Sequence, residues 1–155
     1  MNHSLPVVTN YEEPLLFKEW KQGDEMTESS VFKVLEPSRG KVVQPQILIV
    51  PLMGFQDDCH RIGYGKGFFD RSILSLKELY GDQTLFIGVA FEAQKFDKFT
   101  GKMCGSDPWK EDKNTKISKM RAKFKESQKI QWITLDTDEA LDYIVSDEAI
   151  YKKTE

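Results

Sequence analysis

Three glycines at alternate positions stand beside two cations and an acid in the run Arg61, Gly63, Tyr64, Gly65, Lys66, Gly67, Phe68, Asp70. Glycine reaches left-handed backbone angles without penalty and lets a ligand approach main-chain N–H groups closely. Beyond the loop, Phe69, Ile73, Leu76 and Tyr80 recur at helical spacing, and Gly81 stands where a C-cap glycine belongs. The loop therefore feeds a helix N-terminus, whose free N–H groups and positive dipole end attract anions. With Arg61 and Lys66 alongside, the segment has the parts of a phosphate cradle. Asp70, in the first helical turn, is placed to hold a magnesium ion against the same phosphates. The spacing matches neither the Walker loop nor the dinucleotide fingerprint. A tight turn with a surface lysine, and an Asp70 that only complements the helix dipole, is the competing reading; the residues leave both open.

The neighbouring polar residues have plainer readings. Asp57 and Asp58 suit a turn, and Arg71 suits a solvated surface cation. His3 and His60 have no Cys or His partner at metal spacing. Cys59 adjoins His60 and Arg61, a setting that lowers a thiol pKa; the simpler expectation is an unreactive loop cysteine.

The elements that must position this loop follow from apolar patterning. Ile47-Leu48-Ile49-Val50 is an unbroken apolar run ended by Pro51, which predicts a strand buried on both faces. Leu85–Phe91 predicts a second central strand. Strand, glycine-rich loop, helix and strand together predict a βαβ unit with a parallel sheet. In such sheets ligands sit at the carboxyl ends of the strands, where residues 51–70 fall. Leu5–Val8 and Leu15–Trp20 predict two earlier strands, with a turn at Lys21–Asp24 and a loop from Glu36 to Pro45. Between Asp97 and Lys129 basic residues outnumber acids two to one, and Ile117, Met120 and Phe124 mark one face of an expected helix. Trp132–Leu135 reads as a strand, and Leu141–Val145 as one more short element before a polar tail.

The chain has 155 residues, two cysteines and a net charge of -3. That length suits a single α/β domain over residues 1–155, with a basic insertion at about 97–130. The charge gives no general pull toward nucleic acid or anionic membrane. No apolar stretch approaches the roughly 20 residues that span a bilayer, and Met1–Val8 lacks the pattern of a signal peptide. Sparse cysteines, with Cys59 far from Cys104, suit a reducing compartment, and the expected location is cytoplasmic.

The segments Val50–Phe55 and Arg61-Ile62-Gly63-Tyr64-Gly65-Lys66-Gly67-Phe68-Phe69-Asp70-Arg71 resemble the signature of the 5-formyltetrahydrofolate cyclo-ligase family. Gly88-Val89-Ala90-Phe91-Glu92-Ala93-Gln94 is similar to that family's next segment, and Asp138 with Asp142 to its closing one. Leu5–Val8, Leu16-Phe17 and Leu35-Glu36-Pro37 resemble its preceding strands, so the likeness spans most of residues 5–146. The resemblance implies a three-layer α/β fold with a mostly parallel central sheet and flanking helices. It implies conversion of 5-formyltetrahydrofolate to 5,10-methenyltetrahydrofolate with ATP and Mg²⁺. The formyl oxygen is phosphorylated, the second folate nitrogen attacks, and phosphate leaves. Carried onto this chain, Arg61, Gly63, Tyr64, Gly65, Lys66, Gly67 and Phe68 would hold ATP phosphates, with Arg61 and Lys66 catalytic. Tyr64 and Phe68 would also lie near the folate, and Asp70 and Asp138 would hold magnesium. Gln56 stands where the family has aspartate, and Cys59 where it has glycine.

The resemblance further implies an N-terminal portion, with a basic helix that reaches ATP and a glutamate on the pterin side, which residues 1–4 do not supply. The alternative expectation is accordingly a catalytically impaired nucleotide- or folate-binding module. An uncovered sheet edge or core face would favour self-association; the expected state is a monomer or weak homo-oligomer, with the folate as its small-molecule partner and no nucleic acid or membrane.

Overall fold

Apolar and β-branched runs favour strands, and in the computed structural model, which describes residues 2–96 and 139–154, most of them form strands. β1 (His3–Val7) and β2 (Leu16–Trp20) pair antiparallel, as do β3 (Met26–Glu28) and β4 (Leu35–Pro37). β5 (Ile47–Val50) leads into a two-residue antiparallel pair, β6 (Gly54–Phe55) and β7 (Arg61–Ile62). The glycine loop follows, then α1 (Phe68–Tyr80), and then β8 (Leu85–Val89). Near the end of the chain, β9 (Tyr143–Val145) and β10 (Ile150–Lys152) complete the central sheet.

That sheet has the order β10-β9-β8-β5. β5 runs parallel to β8, with Ile47 opposite Leu85, and β8 parallel to β9, with Val89 opposite Val145. β10 returns antiparallel along β9. The predicted strand–loop–helix–strand unit is therefore present, and the glycine loop lies at the carboxyl end of β5. The expected helix spans Phe68–Tyr80, and the N–H of its C-cap Gly81 donates to the Lys77 carbonyl.

One face of the sheet carries the core. Leu48, Val50, Phe86 and Ile144 point to it, and Ile73 and Leu76 of α1 close over them with Leu15, Phe17, Phe55 and Leu141. Burying each such side chain stabilises the fold by roughly 1.5–3 kcal/mol. Ser72 pins α1 to the start of β2: its Oγ accepts from Leu15 N at 2.8 Å and donates to Phe68 O at 2.6 Å.

The second face departs from expectation. Ile47 is 47% exposed, Ile49 56% and Val89 56%. β5 alternates between covered and open positions, because α1, the single α-helix among the described residues, packs on one side only. Four short strands were not expected: β3, β6, β7 and β10. Leu35–Pro37 forms β4, as the resemblance implies, so the loop expected from Glu36 opens only after Pro37. The basic insertion at about 97–130, the helix face of Ile117, Met120 and Phe124, and the strand at Trp132–Leu135 all lie outside the described residues.

Candidate active site

The loop joining β7 to α1 is built on left-handed glycines. Gly65 has φ 78° and Gly67 φ 69°, angles that other residues adopt only with strain. Gly67 is the N-cap of α1, and no side chain caps the helix there. The N–H groups of the first turn are therefore left without a side-chain cap. Tyr64 is 69% exposed, and Lys66 stands exposed between the two left-handed glycines.

The base of the loop is fixed by buried charge. Arg61 Nη2 donates to Asp70 Oδ1 at 2.7 Å, with the arginine side chain 3% exposed and the aspartate 20%. Arg61 thus joins β7 to the first turn of α1 across the loop it flanks. Its Nε has no hydrogen-bond partner among the described residues. Arg71, expected to be a solvated cation, is instead a clamp. Its Nη1 donates to Lys66 O at 3.2 Å and its Nη2 to Tyr11 O at 2.8 Å, while the guanidinium lies 4.8 Å from the centre of the Phe68 ring. Phe68 is buried, at 8% exposure, among Tyr11, Phe32 and Arg71.

Two further segments hold the rim. Gln94 Nε2 donates to the carbonyls of Leu52 and Met53, each at 3.3 Å, tying the exit of β8 to the exit of β5. Lys95 Nζ lies 2.6 Å from Asp57 Oδ1 and 4.7 Å from the centre of the Tyr151 ring. Tyr151 Oη donates to Glu92 Oε1 at 2.5 Å, and Ser146 Oγ to Glu92 Oε2 at 2.8 Å. The hydrogen bond to Asp57 holds the Lys95 pKa well above its ordinary value, and burial together with the bond to Glu92 raises that of Tyr151. This latch was not foreseen; its only sequence signal was the segment Gly88–Gln94.

Asp58 lies in a turn, as expected, closed by Cys59 N donating to Gln56 O at 3.0 Å; it accepts from His60 N at 3.2 Å, and its Oδ1 is 3.1 Å from His60 Nδ1. Cys59 is fully buried with φ 65°, the one non-glycine residue in that region among those described. Burial pushes its thiol pKa up, with Asp58, Asp142 and Asp57 adding to the rise. The unreactive reading of Cys59 therefore prevails over thiolate activation by His60 and Arg61. Of the two expected magnesium ligands, Asp70 is engaged with Arg61, and Asp138 lies outside the described residues. Among the described residues no group of three His, Cys, Asp or Glu side chains is placed to hold a metal.

A parallel βαβ unit whose glycine loop meets a helix N-terminus defines an α/β protein. Residues 3–99 match the model of the 5-formyltetrahydrofolate cyclo-ligase family, and the chain belongs to that family. It is 36% identical over 66 residues to the 5-formyltetrahydrofolate cyclo-ligase of Mycoplasma pneumoniae, a match covering 43% of this chain and 34% of that protein. It is 38% identical over 60 residues to the protein of that name from Mycoplasma genitalium, covering 39% and 30%. The matched part thus spans about a third of the length of these curated relatives. Its fold is similar to that of the 5,10-methenyltetrahydrofolate synthetase of Aquifex aeolicus, with a TM-score of 0.60 at 20% identity, covering 99% of this chain and 59% of that one.

Proposed function

We propose that this chain carries out the ATP-dependent closure of 5-formyltetrahydrofolate to 5,10-methenyltetrahydrofolate, with release of ADP and phosphate. The observation that carries the reading is an exposed Lys66 set between two left-handed glycines at the uncapped start of α1, in a chain of this family. The residues present fit a polyphosphate. Main-chain N–H groups at Gly65, Gly67 and the first helical turn offer donors, and Lys66 offers a cation free to approach. Such chemistry rests on positioning and on neutralising a transferring phosphoryl group.

Transfer of that group to the formyl oxygen makes the formyl carbon open to the second folate nitrogen. Ring closure then expels phosphate, and the nitrogen loses its proton. Lys66 and the loop N–H groups hold the phosphates, and Tyr64 lies on the open side of the loop, toward a folate. Arg61, bound to Asp70, fixes the loop's base and sets the orientation of that carboxylate. Asp70 and Asp138 are the residues that would hold Mg²⁺, which supplies charge neutralisation when bound.

The three-layer arrangement belongs to the same proposal. A second layer of helix would cover Ile47, Ile49 and Val89, the apolar positions that are open among the described residues.

The test follows the near-ultraviolet absorbance of the methenyl product after mixing protein, 5-formyltetrahydrofolate, ATP and magnesium. The expected result is an ATP-dependent rise that Asp70→Asn abolishes. A flat trace from folded protein overturns turnover and leaves at most a nucleotide- or folate-binding module.

A further inference from the structure

Tyr11 is an exposed aromatic residue that the fold holds still. Its residue is 55% exposed. Its hydroxyl donates to Val31 O at 3.3 Å, and its carbonyl accepts from Arg71 Nη2 at 2.8 Å. Its ring meets Phe32 edge-on, with centroids 5.5 Å apart, and leans on Phe68 at 6.4 Å. Phe32 in turn meets Phe68 at 5.3 Å. Three rings therefore form one cluster, of which Phe68 is the buried member and Tyr11 the open one.

The cluster is tied to the glycine loop through Phe68, which follows Gly67 in the chain, and through the Arg71 side chain. Arg71 donates at once to the carbonyl of Lys66 in the loop and to that of Tyr11 in the β1–β2 connection. Arg71 and Tyr11 are sixty positions apart in sequence, so this one side chain joins the loop to a distant connection. Immobilising a large side chain at the surface costs conformational entropy with little burial in return. Exposed, pinned aromatic rings beside phosphate-binding groups are the arrangement on which planar nitrogen heterocycles stack.

We propose that Tyr11 is the stacking platform for the planar nitrogen heterocycle of the ligand whose phosphates or formyl group the loop holds. This rests on the phosphate-cradle reading above and adds a specificity residue to it. Two sources share the ring chemistry, the adenine of the nucleotide and the pterin of the folate. Phe68, buried under Arg71, supports the platform from below; Arg71 is a positioning residue that sets the platform relative to the loop.

The test is calorimetric titration of the full chain with three probes in the presence of magnesium: inorganic tripolyphosphate, ATP and 5-formyltetrahydrofolate. Tyr11→Leu keeps apolar bulk and removes the ring, whereas Tyr11→Phe keeps the ring. With Tyr11→Leu, affinity for ATP or for the folate falls by roughly tenfold or more, as loss of one stacking ring implies, and tripolyphosphate affinity is unchanged. Tyr11→Phe stays near wild type. Whichever of the two ligands weakens identifies the ring that stacks. Saturation transfer from tyrosine ring protons to the ligand's ring protons, present in wild-type protein and lost in Tyr11→Leu with Tyr64 intact, gives the same answer. Equal affinity of Tyr11→Leu and wild type for both ligands, no binding of either ligand to wild type, or no transfer overturns the platform. Absence of tripolyphosphate binding, with ATP affinity still dependent on Tyr11, overturns the cradle and leaves the platform standing.

Discussion

The two ends of the central sheet both gather cations, yet α1 turns its positive end to only one of them. At the carboxyl end the loop presents Lys66, with Arg61 and Arg71 behind it. At the amino end a cleft of about 450 Å³ is lined by Lys77, Lys152 and Lys153 together with Asp82 and Asp142. Lys77 there is paired with Glu139 at 2.5 Å, and Asp142 Oδ2 already accepts from Phe86 N at 2.7 Å. α1 settles the difference. It turns its positive end and free N–H groups to the glycine loop, and its carbonyl end to the cleft, where an anion is repelled. Counting lysines would rank the cleft with the loop; the direction of one helix separates them.

The largest effect expected from this contrast is on stability. Arg61→Met leaves the Asp70 carboxylate without its buried partner and should cost about 1.5–3 kcal/mol in urea unfolding, the range for a hydrogen bond between charged groups. The equivalent change at the other end, Lys77→Met, removes a pair that is partly exposed on both sides and should cost only about 1 kcal/mol. Equal losses would break the distinction between the braced loop base and the cleft.

Next come the glycines. Gly65→Ala and Gly67→Ala each force a left-handed angle on alanine, at about 1–2 kcal/mol. A Cβ at Gly65 meets nothing within 4 Å, whereas one at Gly67 would lie 2.8 Å from Arg71 Nη1. Gly67→Ala should therefore be the more destabilising of the two and also weaken ATP binding, by displacing the clamp.

Lys66→Ala sharpens the comparison at the level of binding. ATP affinity should fall about tenfold, in line with loss of one charged hydrogen bond, while the unfolding free energy changes by less than about 0.5 kcal/mol. Lys152→Ala and Lys153→Ala should leave both quantities unchanged.

The smallest effect is on pH dependence. Cys59, Lys95 and Tyr151 all have raised pKa values, and all three lie at the carboxyl end or just beneath it. A raised value in the fold means that the protonated form is favoured there. The stabilisation is complete below the unfolded pKa and is lost as pH rises through the folded one. Thermal midpoints should accordingly decline above the ordinary thiol value of 9.0, with no fall attributable to these groups near neutrality. In a Cys104→Ser variant, folded protein should resist thiol reagents at pH 8 and react fully once unfolded.

Much of this arrangement was legible in the chain. The switch from an apolar run to helical spacing at Phe68 located the loop and its helix, because the two periodicities differ sharply. Ile47-Leu48-Ile49-Val50 showed that both strand faces are apolar, but an apolar residue does not report whether anything covers it. The β6–β7 pair escaped because two-residue strands have no period. β10 escaped because Tyr151 sits among polar neighbours and earns its place through contacts with Phe55, Glu92 and Lys95. Arg61 and Asp70 were singled out separately; that they bind each other is a fact of the turn between them, not of their types. Tyr11 was missed because what marks it is the reach of Arg71, which no local pattern carries.

The most direct measurement is a map of backbone amide shifts in ¹⁵N-labelled protein as ATP with magnesium is added. The account predicts the largest shifts at Gly63, Gly65, Lys66, Gly67 and the first turn of α1, with Tyr11 moving alongside them. Shifts that centre on Gln83, Thr84, Tyr143 and Lys152 instead, with the glycine loop unmoved, would contradict it.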